Sequence, residues 1–500
     1  MSNEKKISSG SSRLTDHASQ SSNSSLITHH SLLSVIDTHC HLDMKEFDLD
    51  RKEVIERAKA AGIEAMITVG SDLEGTVSAM KLAGEYDFIY ASIGIHPHDA
   101  KDFNDDIYSQ LKEWAKGTQD PKLSFQNDPS LNKVVAIGET GLDYHYDHSQ
   151  REVQRDVFEK HLRLAGETGL PVIIHSREAQ KDTIEILRRS GINRGVLHCF
   201  SGNMEMAEQV MSMGFYISVA GPVTFKKTRE LKEIAGSIPD DYLLVETDAP
   251  YLSPEPFRGR RNEPAFIIQT LKQIADLRRV SLEDMARITS LNAKRLFGIG
   301  TIPDRAEIAY RIRDSLYLNI TNRCTNKCSF CMKFRSDYVK GHRLRLEHEP
   351  SEEEIKSAIG DPKEFKEIVF CGYGEPLQRL DTVKNIARWV KEMGGVVRIN
   401  TNGHGNLIHK RNIVPELRGI VDSISISLDA HDEETYNRIC KPVFSNAFNE
   451  ILQFTRQAKE AIPEVLITVV TMEGVDIDKC RGIAEELGVP IRIRKLDVVG

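Results

Sequence analysis

The sequence predicts an α/β protein with an N-terminal (β/α)8 TIM barrel and a C-terminal partial (β/α)6 barrel. Three observations predict this fold class. The chain has 500 residues, more than one hydrophobic core usually serves. Its first half contains eight short β-branched runs separated by amphipathic segments, and its second half contains six more. Apolar strands that alternate with helices are typical of parallel sheets covered by helices.

The eight runs of the first half begin at Ser34 and alternate with charged segments such as DRKEVIERAKAAG. In order they read SVIDTHCH, AMITVGS, IYASIGIHPH, VVAIGETGLD, PVIIHSRE, GVLHCFSG, FYISVAGP and LLVETDAP. Eight such units within roughly 270 residues match the size and repeat number of a TIM barrel. The segment SLEDMARITSLNAKRLFGI predicts the closing helix.

The six runs of the second half are fewer and predict an open, parallel partial barrel. They read SLYLNIT, EIVFCGYGEP, VVRINTNG, SISISLDA, VLITVVTMEG and PIRIRKL. A proline follows the end of the helical pattern in GIGTIPDRAEIAYRIRD, which indicates a boundary there. We therefore expect a disordered Ser-rich tail at 1–34, a first barrel at 35–300, a linker at 301–313 and a second barrel at 314–500.

The composition of the chain limits which binding partners and which cellular compartment we expect. The net charge of −8 argues against a broad basic face that wraps nucleic acid. A nucleic-acid substrate stays possible, because a bound metal supplies positive charge locally. No apolar run approaches the roughly 18 residues of a membrane span, so no membrane partner is expected. Eight cysteines are too few for a disulfide scaffold, and the N-terminus has no apolar signal core. We expect a cytoplasmic protein.

Histidines and carboxylates follow the predicted strands of the first half, at the barrel end where such folds do chemistry. Six of them exceed one tetrahedral site and suit two divalent ions that share a carboxylate. Glu139 is the natural bridge, because it comes from mid-barrel and offers two oxygens. Two such ions would serve phosphoryl displacement and amide hydrolysis about equally, so these residues alone leave the substrate open. The six are His39, His41, Glu139, His175, His198 and Asp248.

Seven ordered motifs in this half resemble those of the TatD family of metal-dependent deoxyribonucleases. They are DTHCHLD, GIHPH, GETGLDY, IHSRE, LHCFSG, ETDAPYLSP and RGRRNEP, and the match spans roughly Val35 to Gly300. The resemblance implies hydrolysis of DNA, single-stranded or at 3′ ends, with Glu139 and Asp248 as catalytic residues. It implies one ion on His39, His41, Glu139 and Asp248, and another on Glu139, His175 and His198. The ions are Mg²⁺, Mn²⁺ or Zn²⁺.

Four further residues are candidates for substrate contacts. His96 and His98 of GIHPH contact phosphate or have a structural role. Arg177 and Arg258 grip a phosphate or form loop salt bridges. The rival hypothesis is an amidohydrolase-type barrel acting on a small cyclic amide or ester. Many such barrels use a carboxylated lysine as the bridge, whereas run four ends without a lysine, which favours the nuclease.

Three cysteines lie close together in TNRCTNKCSFCMKF, with the spacing C-x3-C-x2-C. A zinc site would normally need a fourth ligand nearby, and a redox C-x-x-C pair would leave Cys324 unexplained. The three thiolates of Cys324, Cys328 and Cys331 suit a [4Fe–4S] cluster with one iron left open. The sequence therefore predicts an iron–sulfur loop.

This spacing, with Phe330 before the last cysteine, resembles the signature of the radical S-adenosylmethionine (SAM) superfamily. CGYGEP resembles that superfamily's GGE motif, with Tyr373 in place of the first glycine. The resemblance implies reductive cleavage of SAM, an electron donor such as flavodoxin or ferredoxin, and a substrate that stays open. The chain as a whole resembles a TatD nuclease fused to its associated radical SAM domain. The implied SAM contacts are Gly374, Glu375, Asn402 and Ser427.

A different class of hypothesis also remains for the second half. In it, the three cysteines hold a non-catalytic iron–sulfur or zinc module that only binds nucleic acid. The two hypotheses differ in whether the reduced protein cleaves SAM, and the sequence does not decide between them.

Overall fold

The computed structural model describes residues 33–117 and 133–495. The predicted disordered tail lies outside the described residues, apart from its last two, Leu33 and Ser34. Buried apolar side chains form two large cores, one drawn from residues 33–299 and one from residues 316–489. The domain bounds stay a prediction, and Ala309–Ile312, inside the predicted linker 301–313, form a strand of the second half's sheet. No helix in the described ranges is long and apolar enough to cross a membrane.

The first half is an eight-stranded parallel barrel, as the sequence predicts. Neighbouring strands follow chain order. The first and last strands meet where the His41 amide donates to the Ala249 carbonyl at 2.7 Å and the Asp248 amide to the His39 carbonyl at 2.8 Å. The strands are β1 Val35–Cys40, β2 Ile63–Val69, β3 Ile89–Ile93, β4 Val134–Asp143, β5 Val172–Arg177, β6 Gly195–Leu197, β7 Phe215–Val219 and β8 Leu243–Val245.

Amphipathic helices cover the outside of this barrel. The predicted closing helix is the last of them: Ser281 caps its first turn, and Gly298 ends it with a φ of 69° that favours glycine. The helices are α1 Arg51–Ala60, α2 Leu73–Glu85, α3 Asp105–Gly117, α4 Arg151–Thr168, α5 Gln180–Ser190, α6 Met204–Ser212, α7 Arg229–Ser237, α8 Ile267–Arg278 and α9 Leu282–Phe297.

The six predicted runs of the second half form parallel strands in chain order, but the sheet is mixed rather than wholly parallel. A seventh strand pairs antiparallel with the first of the six. The sequence prediction missed it because it has four residues, of which only Tyr310 is buried. A separate short hairpin follows the cysteine loop. The strands are β9 Ala309–Ile312, β10 Ser315–Leu318, β11 Tyr338–Val339, β12 His342–Arg343, β13 Ile368–Phe370, β14 Val397–Thr401, β15 Ser423–Ser427, β16 Glu464–Thr471 and β17 Ile491–Lys495.

The helices of the second half pack on the outer face of this sheet, where the alternate strand residues are apolar. The opposite face carries polar side chains such as Arg398, Asn400, Ser425 and Ser427, in register on β14 and β15. The helices are α10 Glu352–Ile359, α11 Leu380–Glu392, α12 Gly405–His409, α13 Val414–Leu417, α14 Glu433–Cys440, α15 Ala447–Ala461 and α16 Ile477–Leu487.

The two halves touch through helix α9 and the β11–β12 hairpin. The Arg287 guanidinium donates to the Lys340 carbonyl at 2.9 Å, and the guanidinium of Arg295 lies 4.4 Å from the centre of the Tyr338 ring. The Tyr338 hydroxyl donates to the Pro303 carbonyl at 3.0 Å. The outer wall of the first barrel therefore supports the segment that directly follows the cysteine loop.

Buried His161 in helix α4 makes the first barrel sensitive to acid. Its Nδ1 donates to the Val157 carbonyl at 2.8 Å, so its Nε2 accepts from the Ile95 amide at 3.1 Å. Burial lowers the pKa of His161 from 6.5 to about 4. Between these pH values His161 is protonated in the unfolded chain but neutral in the folded barrel. The free energy of unfolding therefore falls as the pH falls.

We expect acidification from pH 6.5 to 4 to cost the first barrel on the order of 3 kcal/mol through this one histidine. Urea unfolding at several pH values measures it. His161→Gln keeps an acceptor for Ile95 but does not titrate, and should flatten the slope. His348→Gln, at an exposed histidine, should leave it unchanged. Equal slopes in wild type and His161→Gln would contradict the prediction.

Candidate active site and cluster loop

The six predicted ligands of the first barrel come together at the carboxyl ends of its strands, and His96 joins them. Within each of three groups, the possible ligand atoms lie within 4.8 Å of one another. The groups are His39 with Glu139 and His198, His39 with His41 and Asp248, and His96 with Glu139 and His175.

One oxygen of Glu139 faces the β1 histidines. Its Oε2 lies 3.4 Å from the His39 Nε2 and 3.8 Å from the His41 Nε2. Asp248 closes this side, with its Oδ1 at 3.5 Å from the His41 Nε2 and 3.8 Å from the His39 Nε2. The side therefore offers two ring nitrogens and two carboxylate oxygens around one point.

The other oxygen of Glu139 faces a second set of histidines. Its Oε1 lies 2.7 Å from the His198 Nε2, 2.9 Å from the His175 Nδ1 and 3.4 Å from the His96 Nε2. The single carboxylate thus has one oxygen on each side of the cluster. This is the arrangement that a bridging ligand between two ions requires.

Gly138 allows Glu139 to occupy this central position. The backbone of Gly138 has a φ of 127°, which favours glycine, and a Cβ there would lie 2.4 Å from the Ile173 carbonyl oxygen on β5. Strand β4 can therefore approach its neighbour closely only without a side chain at this point. Asp248 also has a positive φ, 57°, which is uncommon for a residue other than glycine.

The electrostatics of the cluster favour an ionised Glu139. Burial alone would raise its pKa, but His198, His96 and the hydrogen bonds of His175 hold it well below the usual value. Conversely, the pKa of His41 is raised to about 9, because Asp248 and Glu139 outweigh its burial. The carboxylates therefore carry a negative charge that attracts cations, which metal ligation requires.

The donor set fits divalent metal ions. Imidazole nitrogens and carboxylate oxygens are ligands that Zn²⁺ and Mn²⁺ share. The buried Nδ1 atoms of His39 and His198 have no hydrogen-bond partner among the described residues, although the His198 Nδ1 lies 3.5 Å from the Glu246 Oε1. Histidines that crowd nitrogen against nitrogen, such as His39 and His41 at 3.2 Å between Nε2 atoms, suit a shared cation.

Asp143 is a residue of the site that the sequence prediction missed. Its Oδ2 lies 3.1 Å from the Nε2 atoms of both His175 and His98. Its Oδ1 accepts from the amides of His145 and Tyr146 at 3.0 and 2.9 Å. In the run GETGLD, Asp143 follows Glu139 by four residues at the same strand end. This position in the sequence could have identified Asp143 as a candidate site residue.

A further buried carboxylate lies beneath the cluster. Asp37 accepts from the Thr247 amide at 2.9 Å and from its hydroxyl at 2.5 Å, and it lies 3.3 Å from the His39 amide. Burial raises the pKa of Asp37 to about 8. Asp37 therefore joins β1 to the end of β8 and orients the backbone that carries His39 and Asp248.

The four predicted substrate contacts lie at different distances from the ligand cluster. His96 faces Glu139 and belongs with the ligands, whereas His98 pairs with Asp143. The Arg177 guanidinium lies 4.8 Å from the centre of the Tyr146 ring, at the edge of the cluster. The exposed Arg258 stacks on the Phe225 ring at 3.8 Å, and no contact joins it to the ligands. Among the described residues, no carboxylate lies within ion-pair distance of Arg177 or Arg258.

We expect Asp143→Asn to lower metal affinity and hydrolysis by about 10- to 100-fold, because the second partner of a ligating histidine fixes its ring. The asparagine amide keeps the size of the side chain but presents donors to His98 and His175. Metal titration by calorimetry measures the effect. Asp182→Asn is the control, because it removes the charge of a carboxylate that accepts from the Tyr144 hydroxyl outside the cluster. Unchanged metal affinity in Asp143→Asn would contradict the prediction.

In the second half, the three clustered cysteines lie on the loop after β10. All three thiols are free and partly exposed. The loop is held against the end of helix α14, where the Lys327 amide donates to the Cys440 carbonyl at 3.0 Å and the Ser329 amide to the Ile439 carbonyl at 2.9 Å. The loop is thus fixed at both sides of Cys328.

The environment of the thiols fits a cationic iron centre. Burial and the nearby Glu375 raise the pKa of Cys324 to about 12. The Asn402 amide points to the Cys324 sulfur at 3.8 Å. A thiol in such surroundings ionises only when a bound cation compensates its charge. The three cysteines on one loop match the ligand set of a cluster with one open iron.

The predicted SAM contacts lie near this loop, but some of them already form hydrogen bonds with other protein groups. A Cβ on Gly374 would lie 2.4 Å from the Thr321 carbonyl oxygen, so the GYGE turn packs directly on the loop's start. The Glu375 carboxylate accepts from the backbone N–H of Asn402 at 2.7 Å and from the Thr401 hydroxyl at 2.8 Å. It is buried and engaged by protein donors. Ser427 lies two strands from β13 and within 3.4 Å of the Thr468 hydroxyl.

Cys440, at the end of helix α14, lies against the cluster loop. It is buried, and its hydrogen bond with Cys328 is the main cause that raises its pKa. The contact joins residues from distant segments. No local spacing signal could reveal it.

The first barrel and its ligand cluster define a metal-dependent hydrolase, and the cysteine loop on a second parallel set of strands defines a radical SAM domain. A family model described as TatD related DNase matches residues 36–298, more than half of the chain. A second one, described as Radical SAM superfamily, matches residues 318–487. The chain belongs to the TatD family and carries a radical SAM domain, as the sequence motifs predict.

Individual relatives are similar to about half of this chain. The uncharacterized metal-dependent hydrolase YabD of Bacillus subtilis (strain 168) is 46% identical over 267 residues, which cover 53% of this chain and 99% of that protein. The 3′-5′ ssDNA/RNA exonuclease TatD of Rahnella sp. (strain Y9602) is 36% identical, over 52% of this chain and 96% of that protein. The crystal structure of YJJV, a TatD homologue from Escherichia coli K12, is 31% identical, with a TM-score of 0.49, and covers 53% of this chain and 98% of that chain.

Proposed function

We propose that the first barrel is a deoxyribonuclease that hydrolyses phosphodiester bonds of single-stranded DNA from 3′ ends. The observation that carries the proposal is Glu139, whose two oxygens face two separate sets of ligands. A relative of similar sequence is named as an exonuclease of single-stranded DNA and RNA. Two divalent ions suit an in-line displacement at phosphorus, because attacking and leaving oxygens both carry charge.

The residues of the barrel have distinct roles in this proposal. Divalent ions bound there would supply Lewis-acid activation of water and of the phosphodiester. Glu139 is the more enclosed of the two proposed catalytic carboxylates and orients the two ligand sets. The Asp248 side chain is 12% exposed, against 4% for that of Glu139, so it is the carboxylate that a water molecule reaches. With its pKa lowered by His41 against the effect of burial, Asp248 is ionised and accepts the proton of the attacking water.

We further propose that the second half is a radical SAM enzyme. Cys324, Cys328 and Cys331 would hold a [4Fe–4S] cluster that, once reduced by a flavodoxin- or ferredoxin-type donor, supplies the electron for cleaving SAM. Gly374 and Asn402 adjoin this loop and would contact the methionine part of SAM. All eight cysteines are free, and such a cluster needs a reducing compartment, so we place the protein in the cytoplasm.

A nuclease assay tests the first proposal. Wild-type protein with Mg²⁺, Mn²⁺ or Zn²⁺ is incubated with 5′-labelled single-stranded DNA, and the ladder of products is followed. We expect progressive shortening by the wild type and by His348→Ala, an exposed histidine of the second half, but not by His39→Ala. No loss of DNA with wild type, or equal loss with His39→Ala, would overturn the proposal.

A further inference from the structure

Two exposed tyrosines border the ligand cluster of the first barrel. The side chains of Tyr146 and Tyr251 are 53% and 48% exposed, and they are the two tyrosines among the exposed large hydrophobic side chains of the described residues. An aromatic ring normally covers much of its surface by packing. Two open rings at one barrel mouth therefore indicate a surface that a ligand covers.

Tyr146 is fixed beside the His96–Glu139–His175 group. Its amide donates to Asp143 at 2.9 Å, the carboxylate that also contacts His175. The His98 ring meets the Tyr146 ring edge-on at 5.5 Å between centroids. The Arg177 guanidinium lies 4.8 Å from the ring centre. The loop after β4 and the end of β5 thus place an aromatic ring and a cation with no carboxylate partner among the described residues together at this end of the cluster.

Tyr251 is fixed beside the His39–His41–Asp248 group. Its amide donates to the Asp248 carbonyl at 2.8 Å, and its own carbonyl accepts from the Asn262 side chain at 2.6 Å. The Tyr251 ring lies 6.1 Å from that of His41, nearly perpendicular to it. The hydroxyl reaches the Met44 sulfur at 3.4 Å. The backbone of Tyr251 is therefore tied to the ligand-bearing end of β8 while much of the ring stays in solvent.

The two rings thus lie beside different ligand groups, and Glu139 joins those groups at the centre. A phosphodiester held at Glu139 would have one nucleotide on the side of Tyr146 and the other on the side of Tyr251. Every base has a flat π-face that stacks on an aromatic ring, whatever its identity. A paired base in a duplex has both faces already stacked, so only an unpaired base can use such a ring.

We propose that Tyr146 and Tyr251 are base-stacking platforms on the two sides of the scissile phosphate, and that Arg177 contacts the backbone next to Tyr146. They make the site selective for single strands and tolerant of base sequence. This inference rests on the proposed nuclease function. It adds the substrate groups that the site recognises, which are the unpaired nucleobases flanking the cleaved bond.

The test compares Tyr146→Leu and Tyr251→Leu with Tyr146→Phe and Tyr251→Phe. Leucine keeps apolar bulk without a π-face, whereas phenylalanine keeps the ring. Phe334→Leu, at an aromatic residue of the second half that is 57% exposed, is the matched control. The substrates are a single-stranded oligonucleotide and the same backbone in which stable tetrahydrofuran abasic analogues replace the bases.

On the base-bearing strand, we expect each leucine variant to raise KM by about tenfold or more with a smaller change in kcat, and each phenylalanine variant to resemble wild type. On the abasic strand, all variants should match wild type. Binding of a 2-aminopurine oligonucleotide in EDTA gives a readout without hydrolysis, and its quenching on stacking should weaken in the leucine variants.

The outcomes separate the two proposals. If wild type cuts neither strand, the nuclease proposal fails. If wild type cuts the base-bearing strand and the leucine variants match it in KM and in 2-aminopurine quenching, the stacking proposal alone is overturned. Equal losses on both strands in a leucine variant would also overturn it, because they would show a structural role for the tyrosine.

Discussion

Replacing Glu139 by glutamine is expected to lower hydrolysis of single-stranded DNA by about 10³-fold or more. The amide keeps the size of the side chain but removes the charge that both ligand sets share. Metal-assisted charge stabilisation contributes several kcal/mol to such reactions, and each 1.36 kcal/mol is a factor of ten in rate. Initial rates on end-labelled DNA, measured at saturating Mn²⁺, give the comparison.

A matched carboxylate outside the cluster provides the control for Glu139→Gln. Glu263 is also poorly exposed, and its carboxylate pairs with the Arg57 guanidinium at 2.7 Å. Glu263→Gln should therefore change stability more than rate. If Glu139→Gln kept more than a tenth of the wild-type rate while binding the same metals, Glu139 would not be the bridge.

Cys328→Ala is expected to abolish cluster assembly and the formation of 5′-deoxyadenosine, while DNA hydrolysis by the first barrel stays within about twofold of wild type. Two thiolates cannot hold a cluster that needs three cysteine ligands. Iron content, visible absorbance and 5′-deoxyadenosine are measured after anaerobic reconstitution with dithionite and SAM.

The control for this variant is another buried cysteine of the same half. Cys480 lies in helix α16, away from the loop, and is fully buried. Cys480→Ala should keep iron and SAM cleavage, apart from a modest loss of stability for a small buried side chain. If the wild-type protein bound iron but formed no 5′-deoxyadenosine, a non-catalytic module would be the better description of this half.

Most of the fold could be predicted from the sequence, because strand runs and helical segments alternate regularly in both halves. Each of the eight runs of the first barrel is a strand, and the six runs of the second half are parallel. The edge strand at Ala309–Ile312 escaped prediction since it is short and half-exposed. Antiparallel pairing at an edge depends on a tight turn after Ile312, where Arg313 has a positive φ.

The site residues could be predicted where a histidine or a carboxylate directly follows a recognisable strand, as at His39, Glu139 and His198. Residues whose role depends on contacts with other strands were predicted less well. His96 follows the end of its strand by three residues. The sequence alone therefore could not show whether its side chain reaches the ligand cluster or stays at the edge of the barrel mouth. Asp143 contacts Glu139's partner His175 across β4 and β5, and only the packed barrel reveals this contact.

The same limit applies to the second half. The C-x3-C-x2-C spacing is local, so the loop could be recognised directly. The contact between Cys328 and Cys440 is tertiary and has no local pattern. The GYGE motif predicts Glu375 near SAM, and this stays a prediction; the structure adds that its carboxylate is buried and accepts from the Asn402 backbone N–H and the Thr401 hydroxyl. Strand ends show where polar groups gather, and the packed structure determines which of their atoms remain available.

A titration of metal-depleted protein with Mn²⁺, in which hydrolysis of single-stranded DNA is followed, tests the two-ion site of the first barrel. Cys328→Ala is used so that a cluster does not contribute metal. If Glu139 bridges two ions, the rate rises until two equivalents of Mn²⁺ per chain are bound and is then constant. Full activity with one equivalent, or no hydrolysis at any amount of metal, would contradict it.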